Sequence, residues 1–372
     1  MTDKVVGLMG GGGTGPELIN AVLPCFKAVQ ALYGAKFEFM RFDDEKWEYE
    51  SKTEVWNRPF YDAMCLFYDN VKERNGCILR GAVQAPVLYK VREYVGHHFK
   101  INPILGIPEL ADLTRFSADA LDGLRLLLVR NNTFGFFHCD GKHEESTGNA
   151  LARIEHFQEE VEQLVRYAFK LAPSEGTVTL AMPTRKLGAI GALWERICEK
   201  VAADYPTLTY TRIEPCLEEI GHYVRTRKNK KDISRWYDTP HCSFDVIFGP
   251  ELFMDYLQDD VTWMIHGEPY IGCSANFSPD DFSSFQTVHG TVNPFSGKNI
   301  INPIGMVHAV AMCLEYAFDM PQAAQDIERS VRQTLTMGFR THDIYRGNPK
   351  YTLVGTREMV DKVVSELYAL HA

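Results

Sequence analysis

Asp255 and Asp259 stand four residues apart in MDYLQDD, residues 254–260. On a helix that spacing turns both carboxylates to the same side. Two hard oxygen donors, completed by a third ligand from elsewhere, suit Mg2+ or Mn2+. The same letters also describe a solvated acidic helix end. A second stretch, VTLAMPTRK (178–186), reads as a short buried strand that meets a proline, a threonine and two basic residues before a helical run. Strand exits into helices are where α/β enzymes carry reactive groups. Either a base sits here, or Pro183 marks the place of a missing one. GGGGTGPE (10–17), which contains Thr14, suggests a phosphate loop, because glycines let backbone N–H groups approach an anion at a helix start. It matches neither GxGxxG nor the P-loop pattern. VHGTVNPFSGKNIINP (288–303) packs His, Gly, Asn and Pro into a loop that ends at a helix, a form suited to backbone recognition of a nucleotide.

Strands and helices must alternate to position these groups. KVVGLM followed by glycines and PELINAVLPCFKAVQAL reads as strand, turn and helix, with Pro16 in the first helical turn, where a missing N–H is harmless. Further strands are read at KFEFMRF, NGCILRGAV, LRLLLVRNN, TVTLAM, TLTYTRIE and FDVIFG. Amphipathic spacing predicts helices over 154–172, 187–204, 303–317, 321–337 and 356–370, with another near 231–238. The alternation implies a largely parallel sheet covered on both faces. FGFFHCDGKHEESTGNA (134–150) is the least helix-like middle portion and reads as an arm or hairpin.

The 372 residues suffice for one large or two medium domains. A net charge of -10 argues against broad binding to nucleic acid or an anionic membrane. RTRKNKKDISR (225–235) is a local basic exception, read as a solvated loop. Nine cysteines without a CxxC pair read as reduced thiols. The start, MTDKVVGLMGG, reads as too short an apolar run for a signal peptide, and the expected location is the cytoplasm.

In order along the chain, these blocks resemble the isocitrate/isopropylmalate dehydrogenase family, the β-decarboxylating dehydrogenases. GGGGTGPE is similar to GDGIGPE, LRGAVQAP to GAVGxP, VREYVGHHFKINP to LRKxLxLYxNLRP, and LLVRNNTFGFF to VRENTxGxY. FDVIFGPELFMDYLQD is similar to FDVIVTxNLFGDILSD, VHGTVNPFSGKNIINP to VHGSAPDIAGKGIANP, and VGTREMVDKVV to the last helix. The resemblance implies a two-domain α/β subunit. One domain would hold residues 1–100 and 250–372. The other would hold 101–249, with a dimer arm at 134–150. It also implies a homodimer that shares its site across the interface, a divalent metal, and NAD or NADP as oxidant of a small 2-hydroxy acid.

Residue by residue, the resemblance assigns Asp255 and Asp259 as metal ligands. The third ligand falls at Lys231 without a gap or at Asp232 with one. Arg92 and Arg130 match two substrate-binding arginines, while the third position is Asn102. The glutamate after Arg130 is Asn131, the reprotonating tyrosine is Phe137, and the catalytic lysine falls at Pro183. Lys186 replaces that lysine only if the loop is two residues shorter. Arg185 cannot act as a base, since a guanidinium keeps its proton. On the cofactor side Thr14, His289, Gly290, Asn302 and Asp343 persist. The nicotinamide-side glutamate is Gln286, the acid selecting NAD over NADP is Pro294, and the aspartate of GDGIGPE is Gly12.

The losses at Pro183, Phe137, Asn102 and Asn131 each remove charge or a proton-transfer group, while the aspartate pair stays. Phe99, Phe134, Phe136, Phe137 and Met182 are read as making the surroundings apolar. The leading expectation is therefore an Mg2+-dependent enzyme acting on an anion with an apolar portion by altered, non-redox chemistry of the lyase, isomerase or cyclase type. A dehydrogenase with a substitute base (Lys186, His97, His98 or metal-bound water) and a non-catalytic regulatory subunit are the alternatives.

Overall fold

The computed structural model describes residues 4–46, 58–83, 85–144, 148–228 and 244–372. Its principal strands, in chain order, are β1 (Lys4–Met9), β2 (Phe37–Arg41), β3 (Cys77–Arg80), β4 (Phe99–Leu105), β5 (Arg125–Asn131), β6 (Asp140–Glu144), β7 (Asn149–Arg153), β8 (Thr177–Ala181), β9 (Thr209–Ile213), β10 (Val246–Gly249), β11 (Cys273–Phe277) and β12 (Ser283–Thr287). The chain divides into two compact units. The first comprises Met1–His97, Ile107–Ala118 and His266–Ala372, and the second His98–Gly106 and Asp119–Ile265.

In the first unit the strand order is β2-β1-β3-β12-β11, parallel throughout except for the β11–β12 pair. The helix Gly15–Tyr33 starts on Pro16 and stops at Gly34, whose φ of 67° is left-handed and whose N–H reaches the Gln30 carbonyl. It buries Leu18, Ile19, Val22, Phe26 and Val29, each such side chain contributing about 1.5–3 kcal/mol relative to exposure. The helix Ile304–Met312 is buried on every side, as its all-round apolar sequence requires.

In the second unit the order is β4-β5-β10-β8-β9, with β4 antiparallel and the others parallel. Every residue of β8 and β10 is buried, which is why both read as unbroken runs rather than alternating ones. The 134–150 insert contains a hairpin, β6 against β7, that extends to Arg153. The compact units differ from the expected boundaries at two main segments. Residues 250–265 belong to the second unit, because their helix follows β10, which is bonded between β5 and β8. Residues 107–118 belong to the first.

Lys231, Asp232 and the helix expected near 231–238 lie outside the described residues. The described cysteines are all free thiols. No described helix is long and apolar enough to cross a membrane.

Candidate active site

The second unit assembles a charged cluster at the exit of β5. Arg130 sits on β5 directly opposite Lys100 on antiparallel β4, and both are 4% exposed. Matched register puts their side chains on one face. They converge on the helix Glu251–His266. Arg130 Nη2 donates to Asp255 Oδ1 at 2.7 Å, and Lys100 Nζ lies 4.0 Å from the same oxygen. Asp259, one turn on, accepts from Gln258 Nε2 at 3.1 Å. Burial, and then the like charge of Asp255, push its carboxyl above the usual range.

A loop clamps the start of that helix. Asn131 Oδ1 accepts the Glu251 N–H at 3.0 Å, while Glu251 Oε1 accepts the Phe137 N–H at 2.9 Å. Asn131 Nδ2 donates to the Phe134 carbonyl. An amide supplies both a donor and an acceptor there, which a carboxylate cannot, so Asn131 has a structural task. Gly135 has a φ of 97° and faces the Glu251 carboxylate so closely that a Cβ would lie 2.6 Å from Oε2. Glu251 is fully buried, which raises its pKa. The Phe137 ring lies 5.9 Å from the Arg130 guanidinium, a cation–π contact where the resemblance expects a phenol.

VTLAMPTRK runs from the end of a strand into a short turn. β8 ends at Ala181, Pro183 carries no proton, and a single turn over Thr184–Lys186 carries the chain on. The Lys186 side chain is 74% exposed, and its amine pairs with Glu214 at 3.0 Å. It does not join the Arg130–Asp255 cluster. The expected apolar lining is also reduced. Phe99 alternates with Lys100 along β4, so it points to the opposite face, where it stacks on Tyr167 at 4.3 Å. Phe134 and Phe136 pack on His156, whose burial drops its pKa to about 4. Met182 is buried, and Asn102 sits at 1% exposure on the Lys100 side of β4. Lys100 and Glu251 carry no motif, and sequence reasoning missed both.

In the first unit the glycine turn is closed by protein. The Gly10 and Gly11 N–H groups donate to Asp44, that of Gly12 to the Ala82 carbonyl and that of Thr14 to the Thr291 carbonyl. The Thr14 hydroxyl donates to Thr291 as well, at 3.1 Å. Close approach explains the glycines, since a Cβ on Gly11 would lie 2.2 Å from Ala82 O and one on Gly13 2.0 Å from Thr291 O. The turn is thus held by the Asp44 carboxylate and by two backbone carbonyls, with those N–H groups already taken. Asn302 Nδ2 donates to Asp343 at 2.9 Å, and Thr341 Oγ1 donates to the same carboxylate at 2.6 Å. His289 Nδ1 lies 2.8 Å from the carbonyl of Gly290, and burial holds its pKa below the usual range. Arg92, on the helix Ala85–Tyr94, is 4% exposed.

A family model described as isocitrate/isopropylmalate dehydrogenase matches residues 5–363. The chain belongs to the isocitrate/isopropylmalate dehydrogenase family. Among similar proteins, the 3-isopropylmalate dehydrogenase of Staphylococcus aureus (strain COL) is 26% identical over 358 residues, covering 92% of this chain and 94% of that one. The 3-isopropylmalate dehydrogenase of Xanthomonas euvesicatoria pv. vesicatoria is 27% identical, covering 98% and 99%. The isocitrate dehydrogenase of Methylococcus capsulatus shares the fold with a TM-score of 0.76 at 22% identity, covering 98% of this chain and 99% of that one.

Within this family frame, the carboxylates fit part of a hard-cation site. Asp255 and Asp259 offer oxygen donors on one helix face, and their mutual repulsion is what a divalent cation would relieve. Among the described residues no third His, Cys, Asp or Glu completes a cluster.

Proposed function

We propose that this family member is an enzyme for a small anionic substrate with an apolar portion, and that its chemistry is altered and non-redox, of the lyase, isomerase or cyclase type. One combination carries the reading: Pro183 and Phe137 stand where the resemblance expects proton-transfer groups, while Arg130 and Lys100 gather beside Asp255 on the helix that also carries Asp259.

Arg130 would bind a substrate carboxylate through its paired N–H groups, exchanging its bond to Asp255 for one to the ligand. Lys100, close to Asp255 Oδ1, keeps that carboxylate compensated during the exchange. The Phe137 ring beside Arg130 gives an apolar neighbour to the substrate body. Mg2+ or Mn2+ on Asp255 and Asp259 would polarise a substrate hydroxyl or carbonyl oxygen. A homodimer in the cytoplasm is part of the same reading.

A second reading, NAD- or NADP-dependent oxidative decarboxylation of a substituted malate, draws on the relatives' dehydrogenase names and on the bonded Asn302–Asp343 pair. Calorimetric titration of NAD+ and NADP+ into the purified chain, with and without Mg2+, separates the two. No nucleotide binding alongside Mg2+ binding is the expected result. Micromolar binding of either nucleotide, with reduction of it by a 2-hydroxy acid, would replace the first reading by the second.

A further inference from the structure

Arg80 is the last residue of β3, and it is 1% exposed. Its Nη1 donates to the Gly81 carbonyl at 3.1 Å, but Nε and Nη2 meet no acceptor among the described residues. In the parallel pair β3–β12, Gln286 stands at the register of Arg80. In the antiparallel pair β12–β11, Ser274 stands at the register of Gln286. Matched register places the three side chains in one row on one face. Gln286 is 8% exposed with Oε1 unmatched, and Ser274 is fully buried with Oγ unmatched. Three neighbouring strands of the first unit thus carry four unmet polar atoms along one row.

Charge makes the row harder to explain as packing alone. A guanidinium cannot shed its proton in a protein. Among the described residues, the neighbour that acts on Arg80 electrostatically is Tyr68, a neutral phenol whose burial pushes its ionisation up. Tyr68 also feels Arg92, a second buried cation. Among the described residues, no carboxylate figures among the groups acting on Arg80. An uncompensated buried charge with two unmet donors is costly. A ligand that brings the anion removes that cost.

The unmet atoms also define the ligand. Nε and Nη2 are adjacent on one edge of the guanidinium fork and match the two oxygens of a carboxylate. Ser274 adds a hydroxyl donor, and Gln286 Oε1 needs a donor from the ligand. We propose that Arg80, Ser274 and Gln286 form a carboxylate subsite of the first unit, selective for a small carboxylate that bears a hydroxyl beside it. This deepens, and rests on, the reading that the chain binds a small anionic substrate, but it uses residues apart from Arg130 and Asp255.

The test titrates malate, succinate and inorganic phosphate at matched ionic strength into the full chain and into Arg80→Lys, Arg80→Leu and Arg130→Ala. Malate is expected to bind more tightly than succinate, which lacks the hydroxyl. Arg80→Lys keeps the charge but not the fork, and both Arg80 variants are expected to weaken malate roughly 10–100-fold. Unliganded Arg80→Leu is expected to melt no lower than the parent, because the uncompensated charge is gone. Weakening in the Arg80 variants with Arg130→Ala unaffected supports the subsite while refuting the assignment to Arg130. Malate affinity unchanged in Arg80→Lys overturns the subsite whatever Arg130→Ala does. Absence of binding of all three anions to the parent chain overturns it too.

Discussion

Arg130 on β5 and Asp255 on the helix Glu251–His266 are joined at 2.7 Å, with the amine of Lys100 4.0 Å from the same carboxylate oxygen. Lys100 and Arg130 also act on Asp259, so two cations face two carboxylates, and an anion would enter by taking Arg130 from Asp255. Arg130→Ala should therefore weaken anion binding by roughly 10–100-fold and lower stability by about 1–3 kcal/mol. Ligand titration and denaturant melts read the two effects separately. Unchanged anion affinity in a folded variant would remove Arg130 from the binding site.

The two lysines near VTLAMPTRK and β4 should behave in opposite ways. Lys186 forms an exposed pair with Glu214, so Lys186→Ala should change stability by no more than about 0.5 kcal/mol and leave ligand binding alone. Lys100→Met removes a buried cation beside Asp255 and should lower anion affinity measurably. Ligand titration of the two variants side by side checks this. A loss of binding in Lys186→Ala alone would reverse the assignment.

Installing the lysine and tyrosine that the family resemblance expects should give dehydrogenase chemistry only in part. Phe137→Tyr by itself should yield no reduced cofactor from NAD+ or NADP+ with a 2-hydroxy acid. Pro183→Lys combined with Phe137→Tyr should raise any such activity, within the 10²–10⁴-fold range typical of a general base. Absorbance of the reduced nucleotide is the readout. Strong activity in the unmodified chain would show that the relay is not missing at all.

Glu251 should cost stability at neutral pH. Burial raises its folded pKa, so the folded state prefers the neutral acid. The stability it gives is present below its unfolded pKa and lost as pH rises through the folded one. Glu251→Gln keeps the acceptor for the Phe137 N–H and should stabilise the protein at pH 7, with the gain vanishing in acid. Denaturant melts across that pH range decide it; a gain independent of pH would show that charge is not the cause. Gly135→Ala, at a φ of 97° and against the same carboxylate, should destabilise by about 1 kcal/mol or more.

Asp326 should do the reverse. Burial alone would raise its pKa, but hydrogen bonds from Tyr33, Arg329, Gln322 and His371 outweigh it and bring the value to about 2. A depressed carboxylate stabilises above its unfolded pKa, near 4. That contribution is lost as pH falls toward 2. Asp326→Asn should therefore flatten the acid limb of the stability curve between those values. An acid limb of unchanged slope would mean that this cluster does not govern it.

The seven motif blocks, collinear along the chain, determine the family, and with it the two-unit α/β architecture. Local pattern is enough for this because unbroken apolar runs mark the covered strands β8 and β10, and glycine with proline marks the turn into the first helix. Periodicity does less well elsewhere. It misses the helix Arg58–Glu73 and the strands β4, β11 and β12, whose side chains answer to neighbours distant in sequence. Spacing alone places Asp255 and Asp259 on one helix face, and types alone show that Pro183 and Phe137 cannot move protons. Only the tertiary structure shows that Lys186 faces Glu214, that the N–H groups of Gly10, Gly11 and Gly12 are already taken, and that Lys100 converges with Arg130 on Asp255. The rows Lys100–Arg130 and Arg80–Gln286–Ser274 exist because strand register aligns residues far apart in the chain, and register is fixed by packing across the sheet rather than by any one segment.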